Sequence, residues 1–259
     1  MSRSDHEGSM DWVSTFYKKQ HLWGNVYSGA IERWHRDKAE SIVLPDRQSP
    51  YRILELGCGG GQEAIALAEL GHTVVAIDMN TDAILNARRL AASKPDCRVT
   101  LVEGDFYAFN PAEPFDIVCY FDGFGIGTDE DQQQLLHRMA SWLGTEGRAF
   151  IEVYTPWYWS RVAGILMEWP DVSRRYSYDA ARSRMLDTWW PTGTPDEAVT
   201  QSLRCYSVDD LESLLDGTGL RLTGVQPEGS YDHETKIFHP SSPMKEAMQY
   251  MAFLEKDRS

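Results

Sequence analysis

Ile53-Leu54-Glu55-Leu56-Gly57-Cys58-Gly59-Gly60-Gly61-Gln62, followed by Thr73-Val74-Val75-Ala76-Ile77 and then Asp78, reads as a buried strand, a glycine turn, a helix and a second strand ending in an acid. Short apolar runs broken by glycine mark strands buried on both faces, as in a parallel sheet. The order is that of the first βαβ unit of a nucleotide-binding α/β sheet. Glycines in the turn let backbone approach a ligand where a Cβ would clash. An acid at the tip of the second strand can accept both hydroxyls of a ribose.

The glycine spacing narrows the ligand. A dinucleotide fingerprint is G-x-G-x-x-G, whereas Gly57, Gly59, Gly60 and Gly61 are followed here by Gln62. No lysine or arginine lies between Ile53 and Thr73, and there is no Gly-Lys-Ser/Thr of a phosphate loop. The turn is therefore built for close approach without neutralising phosphate. With Glu55 ahead of it, the E-x-G-x-G-x-G run resembles motif I of the class I S-adenosylmethionine-dependent methyltransferases. Four further stretches are similar to that family in order and spacing: Ile77-Asp78-Met79, Glu103-Gly104-Asp105-Phe106, and the apolar Phe115–Phe121 and Gly147–Tyr154 runs. The resemblance covers roughly residues 51–156.

It implies an α/β, doubly wound, mostly parallel seven-stranded sheet of order 3-2-1-4-5-7-6 with the last strand antiparallel. It also implies S-adenosyl-L-methionine as cofactor. Carried over by position, Glu55, Gly57, Cys58, Gly59 and Gly61 line its methionine and ribose portions, and Asp78 takes the ribose hydroxyls. Met79 packs on the adenine face, Asp105 and Phe106 hold the adenine edge, and Phe121 is a further cofactor-binding candidate. Aromatics of the N-terminal arm, Tyr17, Trp23 and Tyr27, are candidates to close over the methionine end.

At 259 residues the chain has room for one large α/β domain with an insertion. A formal charge of -14 opposes binding to nucleic acid or to an anionic membrane, both of which require basic surface. Neither a signal peptide nor an apolar run of membrane-spanning length is visible. Cys58, Cys97, Cys119 and Cys205 lack metal-ligand spacing, so no metal is expected, and a reducing cytoplasm is the expected home.

Three parts are expected: an N-terminal helical arm at 10–50, and a methyltransferase domain at 51–259 that carries a lid insertion at about 156–206. In the insertion the pattern predicts a helix from Trp159 to Trp169, a helical segment near 178–184, and a hairpin joining Met185–Asp187 to Ser202–Arg204. Ser207 and Asp210 form a capping box opening the next helix. Strand six is expected at Leu220–Val225, strand seven at Thr235–Phe238, and a terminal helix carrying Met244, Ala247, Met248, Met251 and Leu254. Of nine tryptophans only Trp142 falls in the nucleotide half, so arm and insertion supply the aromatics nearest the crevice.

Methyl transfer from a sulfonium is an in-line displacement at carbon, in which the protein aligns the reactants and removes a proton where the acceptor carries one. Asp122, in the glycine-rich loop after strand four, and Tyr154, at the end of strand five, are the catalytic candidates. Phe124, Trp157, Tyr158, Trp189 and His233 are the candidates to bind substrate. An aromatic pocket with one acid suits a phenolic or heteroaromatic compound, or an amine resting on ring faces. The expected activity is transfer to oxygen or nitrogen of such a small molecule in specialised metabolism. Cyclisation, elimination or aminocarboxypropyl transfer on the same cofactor, and a non-catalytic cofactor-binding protein, are the alternatives. The arm's aromatic face suits packing within one subunit or between two, which leaves a homodimer open.

Overall fold

The computed structural model describes residues 7–43 and 50–257. Helices α1 (Glu7–Gly24) and α2 (Arg33–Ile42) precede the alternating units β1 (Arg52–Leu56), α3 (Gln62–Glu69), β2 (Thr73–Asp78), α4 (Thr81–Ala92) and β3 (Arg98–Glu103). Then come β4 (Phe115–Tyr120), α5 (Asp129–Trp142), β5 (Leu143–Tyr154) and α6 (Pro156–Arg161). The insertion continues as β6 (Leu166–Glu168), β7 (Val172–Asp179), β8 (Arg184–Pro191) and β9 (Val199–Arg204). The chain ends with α7 (Val208–Leu215), β10 (Leu220–Pro227), β11 (Ser230–Asp232), β12 (Ile237–His239) and β13 (Gln249–Lys256).

The main sheet has seven strands in the order β10-β13-β5-β4-β1-β2-β3, the order expected from the sequence. Strands β1 to β5 pair in parallel, with Leu54 beside both Val75 and Val118. Strand β13 runs antiparallel to β5 and to β10. Because both faces of the sheet are covered at its centre, β1, β2 and β4 bury apolar residues on both, while the edge strands β3 and β10 are partly exposed. Leu135, Leu136 and Met139 of α5 pack one face with Leu211 and Leu214 of α7. Ala39 and Ile42 of α2 pack the other with Ala64 and Leu67 of α3.

The capping box read from the sequence is formed: Ser207 Oγ accepts from Asp210 N at 3.1 Å. The structure adds a second at α5, where Thr128 caps the acidic first turn Asp129-Glu130-Asp131. The expected hairpin is also present, with Met185 opposite Leu203 and Asp187 opposite Gln201.

Three expectations need correction. The insertion is mainly an antiparallel sheet, β6-β7-β8-β9; its helix is α6 alone, and residues 178–184 are the end of β7 and a turn. Strand seven is β13, while residues 237–239 form the outer strand of a small two-stranded hairpin. The expected terminal helix is therefore a strand. Its apolar residues fit both periods, and the gap between β5 and β10 takes the alternating set Tyr250, Ala252 and Leu254 into the core. Of the arm, residues 44–49 lie outside the described residues.

Candidate functional site

The carboxyl ends of β1, β2 and β4 face the arm and the inserted sheet. At the end of β1 the backbone is left-handed at Gly57 (φ +61°), Gly59 (φ +52°) and Gly61 (φ +80°), conformations that cost a side-chain-bearing residue about 1–2 kcal/mol. Gly61 N donates to Cys58 O at 2.9 Å, which closes the turn as α3 begins. Cys58 is buried against it, and burial pushes its thiol up.

Asp78, half-buried at the tip of β2, is aimed back across this turn. Its Oδ2 accepts from Gly59 N at 2.8 Å and its Oδ1 from Asn80 N at 2.7 Å. Burial raises its pKa, and the two amides pull in the opposite direction. One strand further, Asp105 caps the short 3-10 turn Phe106–Ala108 through Tyr107 N at 2.8 Å. Phe106 lies edge-on to Tyr120, with ring centroids 5.5 Å apart. Met79 is half exposed at the rim.

Two arm tyrosines reach this region. A Cβ on Gly59 would sit 3.3 Å from the Tyr27 ring. Gln62 holds the arm there, its Nε2 donating to Tyr27 O at 3.2 Å and to Gly29 O at 3.0 Å. The residue that breaks the dinucleotide pattern thus fastens the arm. Tyr17 accepts from Gln201 Nε2 on β9 at 2.9 Å, and burial, then Tyr120 and Asp122, push its phenol up. Trp23 is elsewhere: with Phe16 it packs against Trp189 on the seam between arm and inserted sheet.

At the tip of β4, Asp122 has φ +54°. Its amide donates to Glu152 Oε2 at 3.0 Å, and its Oδ1 accepts from the Tyr154 phenol. Protein surrounds Asp122 deeply enough that burial raises its pKa, yet the residue keeps an exposed surface. Behind it, Glu152 is fully buried and ion-paired with Lys38 of α2.

The inserted sheet and the β11–β12 hairpin form the far wall. Arg174 makes a paired hydrogen bond to Asp187, both contacts 2.7 Å, and lies over the Tyr176 and Trp189 rings. Tyr158 donates to Tyr231 O at 3.0 Å and lies 3.3 Å from His233 Nε2. His233 in turn meets the edge of Tyr176 at 5.9 Å. Burial lowers the pKa of His233.

The structure brings Asp122, Tyr154, Tyr17 and Tyr27 together beside the glycine turn. It does not bring every candidate there. Phe124 is completely buried against Tyr206 in the core, Trp189 is buried with its Nε1 donating to Asp187, and Trp157 is half-buried on α6. Lys38, Glu152, Arg174 and Gln201 were not singled out by sequence. Glu152 carried a usable signal, a charge inside the apolar run Phe150-Ile151-Glu152-Val153-Tyr154.

Known proteins share these features. Residues 53–147 match the family model described as a methyltransferase domain. Cypemycin N-terminal methyltransferase of Streptomyces sp. is 31% identical over 166 residues, 62% of each chain. Thiocyanate methyltransferase 1 of Brassica oleracea is 33% identical over 101 residues, 37% of this chain and 45% of that protein. The chain thus spans about half to three-fifths of the length of these relatives. In three dimensions it is similar to the CcbJ methyltransferase from Streptomyces caelestis, with a TM-score of 0.69, 16% identity, and 89% and 92% of the two chains covered. A glycine turn answered by an acid at the tip of β2, on a sheet of this order and with the match over residues 53–147, identifies that stretch as a class I, Rossmann-like S-adenosylmethionine-dependent methyltransferase domain.

Proposed function

We propose that the protein methylates an amine nitrogen of a small molecule, with Asp122 as the group that orients the amine and takes its proton. The observation that carries this is a deep, accessible carboxylate ringed by Tyr17, Tyr154 and Tyr27, at the carboxyl end of β4. A cationic or proton-bearing nitrogen is what such a site stabilises, by charge and by ring faces. The similarity to an N-terminal methyltransferase agrees with a nitrogen acceptor. Transfer to a phenolic oxygen is the second reading, since the same carboxylate can accept a hydroxyl proton.

The residues present fit the cofactor. Three left-handed glycines leave backbone bare where a ligand must approach, and the half-buried Asp78 carboxylate stands over them. Asp78 would hold the ribose hydroxyls, Asp105 and Phe106 the adenine edge with Met79 on its face, and Glu55, Cys58, Phe121 and the glycine turn the remainder. Tyr17 and Tyr27 cover the methionine end. When bound, the cofactor supplies an electrophilic methyl group. The chain's part is to align the acceptor nitrogen, accept its proton at the Asp122 carboxylate, and exclude water. Tyr154, donating to Asp122, fixes that carboxylate's direction. We read residues 10–50 as the closing arm and 156–206 as the lid, with Tyr158 and His233 on the substrate side.

Calorimetry with S-adenosylmethionine and S-adenosylhomocysteine tests the cofactor site, and an amine panel analysed for methylated product tests the reaction. S-adenosylhomocysteine with a methylated amine is expected. Methylthioadenosine as the nucleoside product would overturn methyl transfer, and methylation confined to phenols would favour the second reading.

A further inference from the structure

Beneath the site lies a buried group of charges that the proposed reaction leaves unused. Lys38, on α2, reaches between the helices to the sheet, its side chain 16% exposed. Around it stand Glu152 of β5, Glu63 at the start of α3, and Glu228 just after β10. Glu55, the penultimate residue of β1, completes the set. Glu228 is close enough to Glu152 for each carboxyl to disfavour charge on the other, and it accepts from Gln249 Nε2 of β13 at 2.8 Å. Above the set are Asp122 and Asp78, and beside it the buried thiols of Cys58 and Cys119. Phe121 lies 5.1 Å from the Lys38 ammonium.

Charge does not balance here. Four carboxylates face one ammonium, and in a low-dielectric interior they cannot all ionise. Among the described residues no group of three or more His, Cys, Asp or Glu is placed to hold a metal ion. One further feature points to a ligand. Glu55, 2% exposed, has an Oε2 with no hydrogen-bond partner, a costly state for a buried polar atom and more so for a charged one. The residue stands two positions before Gly57 of the glycine turn, and the Asp78 carboxylate at the tip of β2 acts on it, so the cluster borders the proposed cofactor site.

We propose that these glutamates are the proton-exchanging counter-charge for the cationic end of S-adenosylmethionine, whose arrival expels a proton from the cluster, while Lys38 keeps the cluster partly ionised in its absence. This rests on the cofactor site proposed above. A positive group brought near carboxylates favours their charged form, so protons leave. By linkage, cofactor affinity then rises as the cluster is deprotonated. Burial, then Glu152, pushes Glu228 up to about 7, and burial raises Glu55 and Glu63. The cluster therefore carries protons to release near neutrality. S-adenosylhomocysteine lacks the sulfonium charge and expels fewer.

Calorimetric titrations at pH 7, in two buffers of different ionisation enthalpy, count protons released per ligand bound. For the wild type we expect S-adenosylmethionine to release about half a proton more than S-adenosylhomocysteine, since a group titrating near 7 is about half protonated there. Glu228→Gln keeps the shape and the contact with Gln249, and should remove at least half of that excess. Lys38→Met takes the cation from the cluster and should enlarge it. The ligands' own amines contribute equally in all variants and cancel in the comparison. Intact binding with the same proton count in wild type and Glu228→Gln would overturn the proposal and leave the cofactor site standing. Failure of the wild type to bind either ligand would overturn both.

Discussion

At the scale of single residues, the site depends on atoms whose replacements have distinct signatures. Asp78→Ala removes the proposed acceptor of two ribose hydroxyls. At about 1.5–3 kcal/mol per charged hydrogen bond, cofactor affinity should fall by at least tenfold, read by calorimetry, and the unfolding midpoint should drop because Gly59 N and Asn80 N lose their acceptor. Gly59→Ala acts on shape: with φ at +52° and the Tyr27 ring 3.3 Å from the new methyl, it should lose about 1–2 kcal/mol of stability and loosen the arm. Thermal unfolding and protease sensitivity of the arm read both effects. Asp122→Asn should cut turnover by about 10²–10⁴-fold, the range of general-base catalysis, with little change in cofactor affinity. Because burial raises the Asp122 pKa, its carboxylate is lost as pH falls through that raised value. Wild-type turnover should therefore rise with pH from the acid side, and the variant should lose that limb. Tyr154→Phe leaves the carboxylate but frees its orientation, so its loss of turnover should be smaller.

At the scale of elements, the parallel half of the sheet was legible because its signals are local. Strands β1, β2 and β4 are short, mostly apolar runs, and a glycine turn follows β1 while an acid ends β2. Asp78 and Asp105 could be placed for the same reason: a strand end fixes a side chain's position through one or two bonds. The last strand, β13, was not legible. Methionines at 244, 248 and 251 suit a helix, and only the vacancy between β5 and β10 decides for the strand. That vacancy is tertiary information. The inserted sheet was misread at residues 178–184 for a related reason, since Tyr176, Tyr178, Met185 and Asp187 gain partners only across β7 and β8. Lys38 and Glu152 form their pair 114 residues apart in number, beyond any window of pattern. The Ser207 cap is local and was read correctly, so it makes a clean test. Ser207→Ala should cost about 1 kcal/mol by chemical denaturation, because Asp210 N loses its acceptor at the start of α7.

At the scale of the whole molecule, the arm, the sheet and the last strands meet at the buried glutamates, and that meeting gives the fold a pH dependence. Lys38 comes from the arm, Glu55 and Glu152 from the parallel sheet, and Glu228 from the segment joining β10 to the hairpin. In the unfolded chain Glu228 titrates near 4.5, and in the folded protein near 7. The folded state thus binds the extra proton over that interval. Its stabilising effect is complete below about 4.5, declines as pH rises, and is gone above 7. The sign is opposite to that of an acid held ionised by a salt bridge, which loses stability on acidification. Two and a half pKa units correspond to at most about 3 kcal/mol, reduced because water reaches part of the side chain. The thermal midpoint should therefore fall between pH 5 and 8 more steeply in the wild type than in Glu228→Gln, whose amide cannot titrate. Parallel slopes in the two proteins would show that the proton is held elsewhere. Glu55→Gln, examined in the same way, would then show whether β1 rather than the end of β10 holds it.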